Sequence, residues 1–450
     1  MIIVNKLVAR MGIISLIILS TVISGCISDD GDDTPEPADH AELSKTFLSL
    51  LFGEQSQSAW EMFNQPMKNA LPAIALDELV DGIVTLKGMF VSYESEEQTS
   101  EGEYEIVLVT CVFENGESLV FRIVFDSEYA IAGFFLDTPL TEGYSPPAYA
   151  DESLFTESNV SIGHPDWELP AVVTMPKGTG PFPAVVLVHG SGSSDMDVTI
   201  GDNKPFKDIA WGLASQGIAV IRYDKRTYVY GEEMAAIISS ITLEDETIDD
   251  AVAAVKFIAS LDGIDSTKVV VIGHSLGGYA CPLIAQASGE LDGFISLAGG
   301  ARHLEDVIIE QTEYLANLDG TVDDNEAASL LAIEAISEKI RTLDIAADEI
   351  VFGAGRAYWE FLSTYEPVDT ASELDMPMLF LQGERDYQAT MTDFGLWKDG
   401  LAEKGEFISY PGLNHLMFYG AAPSDPNEYY MESHVESQVI VDIAQWLQGL

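Results

Sequence analysis

Residues 268–278 read Lys-Val-Val-Val-Ile-Gly-His-Ser-Leu-Gly-Gly, and this stretch narrows the choice of fold more than any other. Val269 to Ile272 is a short β-branched run, the composition of a strand covered on both faces. It passes directly into Gly273-His274-Ser275-Leu276-Gly277, and Tyr279 to Ser288 continues as a small-residue helix. Strand, turn and helix in that order are the setting of a G-x-S-x-G elbow. There a serine is held in a strained backbone conformation with its hydroxyl above the end of a sheet. Glycine is needed two residues to either side, because a Cβ would collide with the opposing strand or helix. The competing reading of Ser275 is a plain helix N-cap.

A serine at such an elbow is inert without a base, an acid to orient the base, and donors for an oxyanion. Met376 to Gln382 is an apolar strand that ends in Gly383-Glu-Arg-Asp386, which puts Asp386 where an orienting carboxylate belongs; Glu384 is its rival. Glu406 to Tyr410 is another short strand, and His415 lies in the loop that follows it, with His434 as the alternative base. Upstream, Pro183 to Val188 is a continuous apolar strand ending in His189-Gly190-Ser191-Gly192. A backbone N–H there, that of Ser191, would serve with the N–H of Leu276 as the oxyanion donors. His189 and His274 are expected to be packing neighbours, and Asp224, Lys225 and Arg226 a structural charge network under the sheet rim. The order Ser, Asp, His, each member at the end of a predicted strand, points to acyl-transfer chemistry. No Cys/His cluster has metal spacing and no glycine-rich nucleotide pattern is present.

The N-terminus adds location. Met1 to Arg10 carries Lys6 and Arg10, Met11 to Ile23 is largely apolar, and Ser24-Gly25-Cys26 follows. A basic start, a short apolar core and a small-residue site describe a signal peptide over 1–25 rather than a spanning helix. Ile23-Ser-Gly-Cys26 resembles a lipoprotein lipobox, which implies cleavage before Cys26 and lipid on its thiol; an uncleaved anchor is the other reading. Both leave the body on the outer face of a membrane, behind an acidic, Pro-containing tether over 26–40. Cys111 and Cys281 lie in apolar segments of different domains and are expected as buried thiols.

Against 21 Lys and Arg stand 74 Asp and Glu, a formal net charge of −53. Such a surface repels nucleic acid and anionic headgroups, which excludes both as partners of the folded body. Adaptation to high salt fits best, because the acids are spread along the chain; a cationic ligand or a cell-wall role are the competing readings.

With 450 residues and 47% hydrophobic content, the chain is long enough for two cores. Residues 41–138 begin with helical periodicity (41–51, 58–70) and continue as extended segments (88–93, 104–113, 119–125, 131–135), with a hairpin signal at Asn115-Gly116. This predicts a small α+β domain. Residues 139–150, with Ser145-Pro-Pro147, read as a linker. From Asp151 strands alternate with helices, which predicts an α/β domain, 151–450, with a mostly parallel sheet covered on both faces. Within it, 301–374 is a helical insert (303–318, 324–343, 346–358) placed to cap a pocket.

Five segments together resemble the α/β-hydrolase superfamily, near serine esterases and dienelactone-hydrolase-like proteins. They are His189-Gly-Ser-Gly192, Arg222-Tyr-Asp-Lys-Arg226, Gly273-His-Ser-Leu-Gly-Gly278, Leu381-Gln-Gly-Glu-Arg-Asp386 and Gly412-Leu-Asn-His415. The front domain is similar to a small domain of unknown role often fused ahead of such hydrolases. The resemblance implies hydrolysis of small carboxylic esters without a cofactor, with Ser275 as nucleophile, Asp386 as acid and His415 as base. Thioesterase, peptidase or acyltransferase activity on the same triad, or a silent surface-binding lipoprotein, are the alternatives.

Overall fold

The β-branched run before the elbow becomes the middle of a sheet. In the computed structural model, residues 39–450 are described apart from 54, 71–75, 77–79, 81–82, 85–86, 102–103, 138–143, 319, 323 and 422. The signal peptide, the lipobox at Cys26 and most of the tether therefore lie outside the described residues. The chain divides into two units, Met1–Gly143 and Tyr144–Leu450.

In the first unit, helices α1 (His40–Phe52), α2 (Ser56–Glu61) and α3 (Gln65–Ala70) precede an antiparallel meander. Its strands are β1 (Phe90–Glu101), β2 (Tyr104–Phe113), β3 (Ser118–Phe125) and β4 (Ile131–Asp137). Burial alternates along β3 and along β2 from Ile106 onward, as period-two side chains on a half-covered sheet require. Val107, Val109, Phe121 and Ile123 meet Phe47, Leu48 and Leu51 of α1 in one core. The Asn115-Gly116 turn joins β2 to β3 as expected, with Gly116 at φ 84°. Strand β1 runs farther than the sequence suggests, since Ser95 to Glu101 stay paired to β2 as far as Tyr104. This is an edge strand, exposed along most of its length, so it needs no apolar alternation to be held by its ladder.

The second unit is built on an eight-stranded sheet in the order β12-β11-β10-β9-β7-β8-β6-β5. The strands are β5 (Phe155–His164), β6 (Trp167–Pro176), β7 (Phe182–Val188), β8 (Ala219–Tyr223), β9 (Ile264–His274), β10 (Gly293–Leu297), β11 (Met378–Gly383) and β12 (Gly405–Tyr410). The hairpin β5–β6 and the β6–β8 pair are antiparallel, and every other pairing is parallel. Consecutive residues of β7 feed separate cores. Val186 and Val188 join one with Val271, Ile258 and Tyr279, while Val185 and Leu187 join the other with Ile272, Phe206 and Ile443. That is the α/β-hydrolase architecture: a mostly parallel sheet with helices on both faces.

The helices of this unit are α4 (Pro205–Ser215), α5 (Arg226–Val229), α6 (Gly231–Ala236), α7 (Asp249–Ala259), α8 (Leu276–Ser288), α9 (Leu304–Ala316), α10 (Asp324–Arg341), α11 (Arg356–Leu362), α12 (Pro367–Ser372), α13 (Met391–Leu401) and α14 (Ser437–Gly449). Four of them, α9 to α12, form the insert between β10 and β11. The expected helix over 346–358 is not one element. Residues 343–355 turn instead, with Leu343 and Phe352 at positive φ and a Val351–Ala354 bridge, and the helix starts only at Arg356. The second half of the expected linker also differs, because 144–150 packs onto the second unit. Tyr144 donates to Asp208 (2.8 Å) and Tyr149 to the Val435 carbonyl (2.7 Å). Two tyrosines bury enough ring area to anchor a Pro-containing segment.

Phe121 is fully buried and stacks on Phe134. Phe121→Ala should cost the first unit about 3–5 kcal/mol, seen as a lower denaturant midpoint for that unit. A loss below about 1 kcal/mol would show that the site collapses around the deletion.

Candidate active site

Ser275 links β9 to α8 at φ 55°, ψ −117°, a region that costs a non-glycine residue of order 1–3 kcal/mol. The neighbouring glycines explain how the strain is held. A Cβ on Gly273 would overlap the Gly277 carbonyl, and one on Gly277 would lie 2.5 Å from the Val188 oxygen and 2.7 Å from that of His189. Gly278 approaches Gly299 Cα equally closely. The turn is thus clamped between β7, β9 and the residues after β10, and Ser275 N–H donates to the Leu297 carbonyl at 3.0 Å. Leu276 is the first residue of α8, so its N–H belongs to the set that an α-helix leaves without an intrahelical partner. Gly190 runs alongside: a Cβ there would sit 3.0 Å from Ser275 Cβ and 3.5 Å from its Oγ.

Asp386 and His415 come together. His415 Nδ1 lies 2.7 Å from Asp386 Oδ2, and both residues are buried. A carboxylate only accepts, so Nδ1 carries the proton and Nε2 is left as an acceptor. Asp386 Oδ2 also accepts from Gln382 Nε2 (3.0 Å), while its Oδ1 accepts from the N–H groups of Gln388 (2.7 Å) and Ala389 (3.2 Å). The His415 loop folds over the end of β11, where a Cβ on Gly383 would come within 2.6 Å of the Asn414 carbonyl. Asn414 Oδ1 shapes the loop by accepting from the N–H groups of Leu416 and Phe418.

The elbow and this loop touch through His274, whose Nε2–H donates to the His415 carbonyl at 3.0 Å; the two rings are 4.7 Å apart. Among the described residues the Ser275 hydroxyl has no hydrogen-bond partner, and in ligand-free sites such bonds often tighten only when substrate binds. The rival candidates lie elsewhere. Glu384 accepts from Ser409 at the surface, and His434 faces Asp208 at 3.2 Å. Gln382 and Asn414, which hold the acid and the histidine loop, were not singled out from sequence. A buried amide has no spacing pattern, and only its place beside Gly383 and His415 could have suggested it.

The insert reaches this region. Gln311 donates to the Gln388 carbonyl at 2.9 Å, and Tyr314 stacks on Tyr387 with centroids 5.0 Å apart. A cavity of about 760 Å³ is lined by Asp386 together with Tyr314, Arg385, Tyr419 and Gly420. Neither Ser275 nor His415 lines it, so it is not the space in front of the nucleophile.

Burial pushes the His189 and His274 imidazoles down to about 3, helped by the Lys225 ammonium at His189 and by His415 at His274. Burial pushes the Cys111 and Cys281 thiols up to about 12, which leaves neither as a thiolate at neutral pH. Both cysteines are unbridged, as expected. The Asp224–Arg226 segment forms the expected network: Lys225 pairs with Glu246, and Arg226 forks onto Asp250 at 3.0 and 2.5 Å.

The elbow that carries Ser275 and the loop that carries the buried His415–Asp386 pair are thus joined by the His274–His415 hydrogen bond. The chain belongs to the alpha/beta hydrolase family, which it matches over residues 185–430. Residues 44–134 match a second family, described as protein of unknown function (DUF3887). It is similar to Esterase EstD of Thermotoga maritima, with 38% identity over 403 residues that cover 89% of this chain and 93% of that protein. Among solved structures it is similar to Est1E from Butyrivibrio proteoclasticus (17% identity, 65% of this chain and 99% of that one, TM-score 0.42). It is also similar to dipeptidyl peptidase 4 from Porphyromonas gingivalis (16% identity, 79% of this chain, TM-score 0.42), of which it spans 43%.

Two of the site's histidines should stay neutral. Their folded pKa lies below the unfolded value near 6.5. The stability they contribute is therefore present above pH 6.5 and is lost, by up to about 1.4 kcal/mol per pH unit each, as pH falls toward 3. Imidazole NMR signals of His189 and His274 should hold constant from pH 8 to about 5. A midpoint near 6.5 would contradict the burial argument.

Proposed function

We propose that this esterase-type enzyme cleaves carboxylic esters through a covalent acyl-Ser275 intermediate, with His415 as general base and acid and Asp386 as its orienting carboxylate. The observation that carries the reading is the buried 2.7 Å contact between His415 Nδ1 and Asp386, on a loop hydrogen-bonded to the elbow residue next to Ser275. With Nδ1–H committed to Asp386, Nε2 accepts the Ser275 proton as Oγ attacks the ester carbonyl, and Asp386 stabilises the imidazolium. The N–H groups of Ser191 and Leu276 hold the tetrahedral oxyanion, each worth about 3 kcal/mol in the transition state. The imidazolium then protonates the departing alcohol. Water, deprotonated by the same Nε2, releases the acid and restores the serine. Similarity to an esterase along nearly the whole chain supports a small ester as substrate. The insert, which touches the acid turn through Gln311 and Tyr314, is suited to shape the acyl site and exclude water.

The same reading places the enzyme outside the cell, held by lipid on Cys26, with the acidic surface suited to a high-salt milieu. The lipobox and the acidic tether support this. Grown with radiolabelled fatty acid, cells should incorporate label into the wild-type chain and none into Cys26→Ser, which should also run as a larger, uncleaved chain; label retained in Cys26→Ser would contradict lipid anchoring.

A fluorophosphonate should label the wild type stoichiometrically and leave Ser275→Ala unlabelled, and labelling that survives the substitution would overturn the nucleophile. Asp386→Asn, which keeps the shape but disfavours the Nδ1–H tautomer, should lower kcat on p-nitrophenyl acetate on the order of ten-thousandfold. A loss below about tenfold would exclude Asp386 as the orienting acid.

A further inference from the structure

The loop that follows β7 is held at alternate carbonyls by a single segment. Gly190 O accepts from Lys225 Nζ at 2.8 Å, Gly192 O from Thr227 Oγ1 at 3.4 Å, and Ser194 O from the Lys225 N–H at 3.1 Å. Asp224 adds a bond from the Met196 N–H at 2.8 Å. The ammonium is the unusual member. Lys225 is only 2% exposed, and a buried lysine is tolerated only when it is paired and hydrogen-bonded. Its partners are Glu246 Oε1 at 2.5 Å and the Gly190 carbonyl. Glu246 Oε2 accepts in turn from the Tyr358 hydroxyl at 2.8 Å, and Tyr358 lies on α11 of the insert.

One peptide unit joins Gly190 C=O to Ser191 N–H. It is planar and trans, so its carbonyl and N–H point in opposite directions. Pinning the oxygen therefore fixes the direction of the Ser191 N–H, beside a Gly190 Cα that lies against Ser275. We propose that Lys225 is a positioning residue that aims the Ser191 N–H at the oxyanion by holding the other end of the same peptide. Through Glu246 and Tyr358, the insert is coupled to that donor. This rests on the esterase reading above. It gives the Arg222–Arg226 segment a part in the reaction beyond a structural charge network, and it gives the insert a way to influence rate without touching substrate.

The test uses the full chain, p-nitrophenyl acetate as substrate, and a trifluoromethyl ketone, whose serine adduct carries the same oxyanion. Lys225→Met should lower kcat about tenfold to a hundredfold, the scale of misaligning one group by roughly an ångström, with KM within about twofold. Ketone affinity should fall by the same factor as kcat/KM. Tyr358→Phe keeps the ring and the Lys–Glu pair and should lower kcat about threefold to tenfold, a fraction of the loss of a whole donor. A folded Lys225→Met with wild-type kcat and ketone affinity overturns the proposal. If Lys225→Met does not fold, Glu246→Gln and Tyr358→Phe decide: reduced kcat with parallel loss of ketone affinity supports it, and wild-type values in both overturn it. Absence of ester turnover and of Ser275 labelling in the wild type would instead sink the parent reading, and this one with it. An active wild type with unperturbed variants sinks this one alone.

Discussion

The catalytic end of the molecule depends on how closely three stretches of backbone approach one another around Ser275. Gly273, Gly277 and Gly278 allow β9 and α8 to meet within a single residue, and Val188, His189 and Gly299 fill the space a side chain would take. Without that approach Ser275 could not be held at φ 55°, because a strained residue persists only where its surroundings over-determine it. The strain is offset by the two cores on either face of the sheet, whose central strands are buried along most of their length.

Around this point the polar groups form a second tier. Asp386 receives four hydrogen bonds, from Gln382, Gln388, Ala389 and His415, so both oxygens of the buried carboxylate are satisfied. His189 and His274 spend their Nε2 protons on the carbonyls of Asp195 and His415 and hold loops instead of exchanging protons. Of the three imidazoles near the serine, only that of His415 is paired with a carboxylate. Burial holds His189 and His274 neutral, although the carbonyl each ring faces works in the opposite direction.

Much of this was legible in the sequence because the relevant signals are local. The apolar runs at 183–188, 269–272 and 293–297 could only be buried strands. Asp386 and His415 stood out because each closes such a run with a short turn. What was not legible depends on partners distant in sequence. Glu94 to Glu101 lacks apolar alternation and becomes strand only because β2 supplies its ladder. Residues 144–150 look like a linker until Asp208 and Val435 are seen to receive Tyr144 and Tyr149. Gln382, Asn414 and Lys225 stand in segments that resemble the family, but what each one holds is set by partners that only the folded chain brings within reach.

The central claim is that an acyl group passes through Ser275. Acid quenching during turnover of p-nitrophenyl acetate, followed by intact and peptide mass analysis, tests it directly. The account predicts one acetyl group per chain during turnover, mapped to the peptide containing Ser275 and lost as substrate runs out. Turnover without any acetylated enzyme, or acetyl mapped to a different residue, would contradict it.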